Sequence, residues 1–410
     1  MSFDARAFSP KRPPAFVLGG LNLTRAVGLS AIPAVVASPR HDWPAFVSRF
    51  AHGTLVLPPL DDPAAVTDVL VRAGRRLRDS VGCKLPLYYG DDDYLALIQS
   101  NYEALAPYFG VILNEPEVAR ALIDKDRFEG FARSRGLPVP RAIAWEELEG
   151  WTGPVLAKPK VKLRYHSSAI YQRLFGGAGK ARVFPNGAAA AAMPLVHQLR
   201  EKLLFQEYVQ GDDRQLWSFH GYADEKGELL AWFVGHKLRT HPALTGCSTF
   251  LELVHNEDCA RVGREIAARI PLRGVFKMDL KRDAASGAWY LLEVNARSNL
   301  WHYLGARNGI SLPRVTYDYL LQGRRPGPIS YRTKYRWVAM RGDFRAYREL
   351  RQRGELSAAG WLRSLGEAPL VHDVFAWTDP APFVRHSLQQ VMMRLPRLGA
   401  RMLRWLYSAS

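Results

Sequence analysis

Cysteine is scarce in this sequence, and the metal-binding spacings of cysteine and histidine are missing from it. Its 410 residues include three cysteines, Cys83, Cys247 and Cys259, none of which belongs to a C-x-x-C pair. The 11 histidines form neither an H-x-x-x-H nor an H-E-x-x-H pattern. The sequence therefore argues against a disulfide framework and a zinc site of common spacing, and it favours a reducing compartment, the cytoplasm.

Acidic residues are outnumbered in this chain. There are 39 aspartates and glutamates against 56 lysines and arginines, which gives a net charge of +17. A positive field of this kind attracts anions such as nucleotides, phosphorylated substrates, nucleic acid or an acidic membrane surface. Because the sequence has no zinc-finger spacing, RNP-type aromatic motif or compact basic tail, we expect no nucleic-acid partner.

Long uninterrupted hydrophobic runs are also lacking. Residues 11–40 imitate a secretion signal, with a basic start and an apolar middle, but Asn22 and Arg25 interrupt the apolar part. A charge in the middle of an inserted segment costs about 2.5 to 3.5 kcal/mol. We therefore interpret this segment as a strand at 15–20, a helix at 23–30 and a strand at 32–38, the start of an α/β domain.

The pattern of secondary structure changes along the chain. Residues 1–110 alternate short apolar strands with amphipathic helices, as in a small doubly wound α/β domain. The acidic triplet 91–93 is interpreted as the cap of a helix start, with a metal site as the alternative. Strand patterns dominate from residue 151 onwards, and a proline- and glycine-rich crossing near 325 leads into a mainly helical tail.

A glycine-rich stretch, LFGGAGKARVF, resembles a phosphate-binding loop. It departs from the Walker pattern at two positions, because Leu174 replaces the first glycine and Ala181 follows Lys180 in place of serine or threonine. We exclude a P-loop on these grounds. Two interpretations stay open, a flap that closes over a triphosphate and a plain hairpin.

Residues 274–297, GVFKMDLKRDAASGAWYLLEVNAR, predict two antiparallel strands joined by a turn at Ser286 and Gly287. On such a pair Asp279 lies beside Glu293 and Asn295. Two carboxylates and an amide oxygen near a strand end form the hard-oxygen site that Mg²⁺ uses when substrate phosphates complete its coordination. Apolar residues flank both acids, which disfavours the alternative of solvated surface acids.

With these motifs in order, residues 114–323 resemble the ATP-grasp enzymes, and the carboxylate-amine ligase branch in particular. The resemblance implies a mixed α/β (α+β) ATP-grasp fold in three parts. These would be a Rossmann-like pre-ATP-grasp domain at 1–110, an ATP-grasp domain at 111–325 with a hinge near 205–213, and a mainly helical C-terminal extension at 326–410.

The resemblance implies a set of ATP-binding residues as well. Lys125 and Lys158 would contact the phosphates. The hinge would hold the nucleoside, with adenine against the side chain of Gln206 and the backbone of Glu207 and Val209. Asp213 would bind the ribose, and Asp212 is the alternative for that role.

The remaining implied roles concern the metal and the reaction. Mg²⁺, with Mn²⁺ as an alternative, would be held by Asp279, Glu293 and Asn295. Arg239 and Arg297 would steady the transferred phosphoryl group or the carboxylate that receives it. For Arg239 an ion-pair role at the surface is the alternative interpretation.

The resemblance implies an ATP-dependent ligase. Such an enzyme phosphorylates a small-molecule carboxylate and joins the acyl phosphate to an amine, with an amino acid as one plausible substrate by family. Lysines, arginines and a metal are the parts that phosphoryl transfer requires, since its catalysis is mostly positioning and charge stabilisation. The alternatives are an ATP-grasp carboxylase or kinase, and a non-catalytic nucleotide- or nucleic-acid-binding protein.

The end of the chain has a basic amphipathic pattern, although Pro396 and Gly399 interrupt it as a single helix. Four arginines lie around an apolar stripe. The stripe consists of Leu388, Met392, Leu395, Met402 and Leu406. This pattern predicts either docking on the protein's own body or peripheral contact with an anionic membrane.

Overall fold

A computed structural model of the protein describes residues 3–160, 173–175 and 181–392, and of Lys125 and Asp126 it describes the backbone alone. The described strands form a five-stranded, a four-stranded and a seven-stranded sheet. Mixed helix and strand content with these three sheets confirms the predicted α/β class. The glycine-rich stretch around Lys180 lies largely outside the described residues, so its two interpretations stay open.

The five-stranded sheet is parallel and has the order β3-β2-β1-β4-β5. Its strands are β1 (Ala15–Leu18), β2 (Ala34–Ser38), β3 (Ala51–Val56), β4 (Leu85–Tyr89) and β5 (Phe109–Gly110). Every residue of β1, β2 and β4 is buried, as expected when helices cover both faces of a parallel sheet. The helices of this region are α1 (Leu21–Leu29), α2 (Pro63–Val81), α3 (Asp92–Ser100) and α4 (Tyr102–Leu105).

The start of α3 explains the acidic triplet. Asp91 is the N-cap residue, and its carboxylate accepts a 2.9 Å hydrogen bond from the backbone N–H of Tyr94. Asp92 and Asp93 occupy the first helical turn, where the helix dipole favours negative charge. The prediction of a helix cap is confirmed.

The four-stranded sheet has the order β6-β9-β7-β8 and is antiparallel. Its strands are β6 (Ala142–Ile143), β7 (Val155–Pro159), β8 (Arg182–Phe184) and β9 (Leu203–Glu207). Helices α5 (Pro116–Ile123) and α6 (Lys125–Ser134) precede β6 in the chain and pack in the core of the seven-stranded sheet. The helices that pack against the four-stranded sheet are α7 (Trp145–Leu148), α8 (Gly187–Ala191) and α9 (Pro194–Leu199). Pro194 separates the last two helices, because proline is tolerated in the first turn but not inside a helix.

The seven-stranded sheet has the order β14-β13-β10-β11-β12-β15-β16. Its strands are β10 (Leu216–Ala223), β11 (Leu229–His241), β12 (Cys247–Val254), β13 (Gly274–Arg282), β14 (Trp289–Asn295), β15 (Arg336–Val338) and β16 (Leu370–His372). The helices that accompany it are α10 (Glu257–Arg269), α11 (Trp301–Arg307) and α12 (Leu312–Gln322). The antiparallel pair of β13 and β14 confirms the hairpin predicted for residues 274–297.

Residues after 325 contribute more than helices. Two helices, α13 (Met340–Gln352) and α14 (Ala358–Gly366), and a helical segment at 381–392 match the predicted helical tail. Strands β15 and β16 were not predicted, and they extend the seven-stranded sheet beyond β12. Both have three residues, too short for alternation to show in the sequence. The boundary at 325 stays a prediction.

Within the described ranges, no helix is both long and apolar enough to cross a membrane. This agrees with the absence of long hydrophobic runs in the sequence.

A buried ion pair joins the C-terminal residues to the N-terminal domain. Arg25 of α1 donates through Nε to Asp379 Oδ2 at 2.9 Å, and both side chains are at most 1% exposed. The same carboxylate accepts hydrogen bonds from the Ser48 hydroxyl and from the backbone N–H of Arg49, each at 2.8 Å. The charge that argued against a secretion signal thus has a partner 354 residues away.

We predict that Asp379→Ala lowers the free energy of unfolding by about 3 to 5 kcal/mol, because it leaves the buried Arg25 guanidinium without its counter-charge. Urea denaturation of the two proteins measures the difference. Asp68→Ala is the matched control, since Asp68 pairs with Arg72 at the surface and both side chains are 58% exposed. That control should lose about 1 kcal/mol or less, and an Asp379→Ala loss no larger than that would contradict the structural role.

Candidate active site

A cleft between the four-stranded and seven-stranded sheets brings together most of the predicted site residues. Five cationic side chains line it against three carboxylates. The cations are Lys158, Lys237, Lys277, Lys281 and Arg297, and the carboxylates are Glu207, Asp279 and Glu293. The excess of positive charge suits a polyanionic ligand.

The predicted adenine hinge forms one end of the cleft. Gln206 and Glu207 end β9, and Val209 follows them along the cleft wall. Glu207 is anchored to the chain before β6, because its backbone N–H donates to the Arg141 carbonyl at 2.9 Å and its carboxylate accepts from the Arg141 N–H at 2.8 Å. The backbone N–H of Gln210 donates to Asp283 in the β13–β14 turn at 2.8 Å. The hinge is therefore held between the two sheets.

Two of the predicted metal ligands, Asp279 and Glu293, line the cleft, and Asn295 lines an adjoining cavity. Asp279 is buried as the sequence predicts, but Glu293 is exposed, because it lies on the edge strand β14. Asp279 of β13 stands directly opposite Glu293 of β14, and Lys277 stands opposite Asn295. The amide nitrogen of Asn295 donates to Glu293 at 3.0 Å. Among the described residues no group of three or more His, Cys, Asp or Glu side chains could hold a metal ion. Two carboxylates and an amide are a fit for Mg²⁺ when a ligand such as ATP supplies further oxygens.

Two partly buried lysines lie against Asp279, whose side chain is 5% exposed. Lys277 Nζ lies 2.6 Å from one carboxylate oxygen and Lys237 Nζ lies 2.8 Å from the other. The Lys237 contact is an ion pair without hydrogen-bond geometry, so that oxygen lacks a hydrogen-bond donor in this arrangement.

Burial and charge act differently on the two lysines. For Lys237 burial opposes the charged form, but attraction to Asp279 outweighs it and the pKa is raised. For Lys277 burial prevails over the same attraction, Lys237 adds repulsion, and the pKa is lowered. The pair therefore carries more positive charge than Asp279 alone neutralises.

Arg297 lies at the border with the N-terminal domain. Its Nε donates to Asp92 at 2.6 Å, and one terminal nitrogen donates to the Asn295 amide oxygen at 3.1 Å. The backbone N–H of Ser298 donates to the carbonyl of Tyr89, the last residue of β4, at 3.1 Å. The structure thus brings Arg297 to the cleft, where it bridges the predicted metal ligands and the first turn of α3.

Arg239 lies outside this cleft. Its guanidinium donates two hydrogen bonds of 2.8 Å to Asp343 of α13, and it covers the Phe250 ring at 4.3 Å from the ring centre. A bulge between Lys237 and Arg239 breaks the alternation of β11 and turns the two side chains to different sides. An ion-pair role is what the structure shows for Arg239, although for a buried pair and not at the surface. Its predicted contact with the transferred phosphoryl group or the substrate carboxylate stays a prediction.

The carboxylate of Asp213 is hydrogen-bonded within the protein. Its carboxylate accepts hydrogen bonds from the backbone N–H and hydroxyl of Thr240 and from the backbone N–H of Leu244. It lines a neighbouring cavity with Asp212, which pairs with Arg214 at 2.6 Å. The ribose contact of either acid stays a prediction.

The two predicted phosphate-binding lysines are described to different extents. Lys158 lies on β7, two residues from Leu156, so both side chains face the cleft. Helix α6 begins at Lys125, but the Lys125 side chain lies outside the described part. Its predicted phosphate contact stays a prediction.

Comparison with known proteins gives one curated relative and many similar folds. No protein-family model matches the chain. Over 280 residues it is 24% identical to the D-aspartate ligase of Enterococcus faecium, and the match spans 64% of this chain and 65% of that protein. The chain therefore matches slightly less than two thirds of the length of this relative.

Solved structures resemble the chain over most of its length. N5-carboxyaminoimidazole synthetase from Staphylococcus aureus has a TM-score of 0.57 and 14% identity, covering 81% of this chain and 82% of that one. L-amino acid ligase from Bacillus licheniformis has a TM-score of 0.51 and 14% identity, covering 75% and 73%. The chain has the ATP-grasp fold. Another solved structure of the Staphylococcus aureus enzyme is a complex with ADP.

Within this ATP-grasp fold, three cleft lysines were missed by sequence reasoning. Lys277 and Lys281 stand two residues before and after Asp279 on β13, so the alternation of the strand places all three side chains on one face. That signal was present in the sequence and went unused. Lys237 gave no such signal, because the β11 bulge cannot be read from its residues.

Lys281 provides a pH-dependent test of the cleft. Its Nζ donates to the Gly211 carbonyl at 2.9 Å and lies 4.2 Å from the Tyr208 ring centre. Burial lowers the pKa of Lys281 from 10.5 to about 8, although Asp213, Asp212 and Asp283 act in the opposite direction. The unfolded chain therefore keeps a proton between pH 8 and 10.5 that the folded protein releases.

Between pH 8 and 10.5 the unfolded state binds more protons than the folded state. We therefore predict that the ionisation of Lys281 makes the free energy of unfolding rise with pH in this range, by an amount on the order of 2 kcal/mol. Lys281→Met should lack that rise. Urea denaturation at pH 7.5 and pH 10 measures it, with Lys226→Met at an exposed site as control. Equal pH dependence in wild type and Lys281→Met would show that the lysine titrates normally.

Proposed function

We propose that the protein is an ATP-dependent carboxylate-amine ligase. It would convert a carboxylate to an acyl phosphate and join the acyl group to an amine, with release of ADP and phosphate. The observation that carries the proposal is the position of Asp279, Glu293 and the two lysines beside Asp279 in the same cleft as the hinge at 206–209. The D-aspartate ligase relative and the L-amino acid ligase fold both support this type of reaction.

The nucleotide would lie along the cleft with adenine at the hinge. Gln206 would contact adenine by its side chain, and Glu207 and Val209 by their backbone. Leu156 and Leu292 supply apolar walls at this end of the cleft. The triphosphate would then extend towards Lys158 and the Asp279 region, with Lys125 as a further phosphate contact.

Asp279, Glu293 and Asn295 would hold Mg²⁺ together with oxygens of the phosphates. The metal would neutralise charge on the phosphates during transfer. Mn²⁺ suits the same carboxylate and amide donors. Lys237 and Lys277, whose ammonium groups lie 2.8 and 2.6 Å from Asp279, would contact oxygens of the transferred phosphoryl group.

The reaction would proceed in two steps. A carboxylate oxygen of the substrate attacks the γ-phosphorus, the bond to the bridging oxygen breaks, and ADP leaves. The amine nitrogen then attacks the acyl carbon, phosphate leaves, and the nitrogen gives up one proton. Holding the amine beside the acyl phosphate makes this attack effectively unimolecular.

The carboxylate substrate would lie where the N-terminal sheet meets the cleft. Strand β1 has β2 on one side and β4 on the other, so the crevice beyond the ends of β1 and β4 is a topological switch point, the usual ligand position in such sheets. Arg297 and Asp92 border this crevice. The relatives' names support an amino acid as one of the two substrates.

We further propose that the protein works in the cytoplasm. Cys83, Cys247 and Cys259 are free thiols in the described structure, and Cys247 is exposed in the cleft wall. Exposed thiols persist where the surroundings are reducing.

Trapping with hydroxylamine tests the acyl phosphate. Enzyme, MgATP and a pool of amino acids should give a hydroxamate together with ADP and phosphate, because hydroxylamine competes with the amine for the mixed anhydride. We predict that Arg297→Ala lowers the rates of hydroxamate and ADP formation by at least about tenfold, since a charge-assisted contact to the carboxylate is lost. Both products can be quantified in one assay.

The control for that substitution is Arg261→Ala, which removes an exposed arginine that pairs with Glu265. Formation of AMP and pyrophosphate would contradict the mechanism in favour of an acyl adenylate. Turnover that requires bicarbonate would favour a carboxylase, the activity named for the biotin carboxylase structure that shares the fold.

The metal assignment has its own test. We predict that Glu293→Gln keeps the fold but lowers ATP-dependent turnover by about 10²-fold or more, since it removes one negative charge from the Mg²⁺ site. Steady-state ADP release as a function of Mg²⁺ concentration measures the effect. Glu257→Gln, at an exposed position in the first turn of α10, is the matched control and should behave like wild type. Near-normal turnover of Glu293→Gln would defeat the assignment.

A further inference from the structure

A group of exposed apolar side chains lies at the end of the described chain. We call it the C-terminal apolar face. Trp377 is 88% exposed and Met392 is 68% exposed, and the others are more than two fifths exposed. The face consists of Trp377, Phe383, Val384, Leu388, Val391 and Met392. This is a large amount of apolar surface to leave in water on one short segment.

The helical segment 381–392 has its apolar side exposed and its polar side against the protein. Val384, Leu388, Val391 and Met392 recur at helical spacing and form one exposed stripe. The polar residues of the segment instead point to the protein. Arg385 donates to the backbone carbonyls of Asp42 and His41, each at 3.1 Å, and Gln389 donates to the Asp42 carboxylate at 2.9 Å. Polar contacts hold the helix to the body, and its apolar side faces outward.

The charge and the residue types of the C-terminal sequence favour one kind of partner. Residues 380–410 contain five arginines and no acidic residue, in a chain of net charge +17. Arg49, which donates to the Thr378 carbonyl at 3.1 Å, adds a cation beside Trp377. A second copy of this chain would bring the same positive charge against itself. An exposed tryptophan with aliphatic side chains and arginines fits the boundary between lipid headgroups and acyl chains.

We propose that the C-terminal apolar face docks the protein on a membrane surface that contains anionic lipid. The apolar stripe enters the interface, and cationic side chains of the protein contact the lipid phosphates. This inference does not depend on the ligase activity, because none of the six side chains lies in the cleft.

Vesicle co-sedimentation of the full chain tests the proposal. Vesicles of phosphatidylcholine with about 30% phosphatidylglycerol, a typical anionic surface, are compared with phosphatidylcholine alone. We expect binding to the anionic vesicles that weakens with added salt. The triple variant Val384→Ser, Leu388→Ser, Met392→Gln should bind at least about tenfold more weakly. These three side chains are exposed, so the variant should fold like wild type.

A matched control separates this face from general surface hydrophobicity. Leu362→Ser changes another exposed leucine, 61% exposed on α14, and should leave vesicle binding unchanged. Absence of binding to anionic vesicles at low salt would overturn the proposal. So would equal binding of the triple variant. A wild-type dimer that becomes a monomer in the triple variant would also overturn it, and would assign the face to self-association.

Discussion

The carboxylate of Asp279, held between two lysines, is the interaction on which the centre of the molecule depends. A buried carboxylate without counter-charge is too costly to keep ionised, and Lys237 and Lys277 supply that charge from two different strands. Burial lowers the pKa of Lys277, and repulsion from Lys237 acts in the same direction, because the two ammonium groups share one carboxylate. A polyphosphate in the cleft would compensate the remaining positive charge. This arrangement of charges therefore suits an anion.

The C-terminal residues contact the strand that carries Lys237. Because of the β11 bulge, Lys237 points into the cleft and Arg239 points towards Asp343 of α13. Strand β11 therefore connects the candidate site with the C-terminal helices. The buried pair of Arg25 and Asp379 connects the same C-terminal part to α1, beside the five-stranded sheet. Residues after 325 thus contact both the seven-stranded sheet and the N-terminal region.

Much of the fold and about half of the site could be predicted from local patterns. Strand alternation was enough to place Asp279 beside Glu293, because a hairpin turn fixes the register of two neighbouring strands. Arg239 shows where such reasoning ends. Its position depends on a bulge and on Asp343, 104 residues away, and neither leaves a periodic signal in the sequence. Asp213 likewise has partners 27 and 31 residues later, at the end of β11 and in the loop that follows it.

Arginine and lysine occur in different kinds of site in this protein. Arginine makes the permanent buried pairs, with Asp379 and Asp343, where a planar guanidinium that never loses its proton can satisfy several acceptors at once. Lysine lines the cleft, where a compact ammonium group on a flexible stem can exchange one anionic partner for another. Arg297 is the exception, since it stands in the cleft and is already bonded to Asp92 and Asn295. A planar guanidinium can donate two parallel hydrogen bonds to a carboxylate. Arg297 therefore lies where the proposed reaction needs recognition of the substrate carboxylate, whereas the lysines lie where phosphate groups would bind.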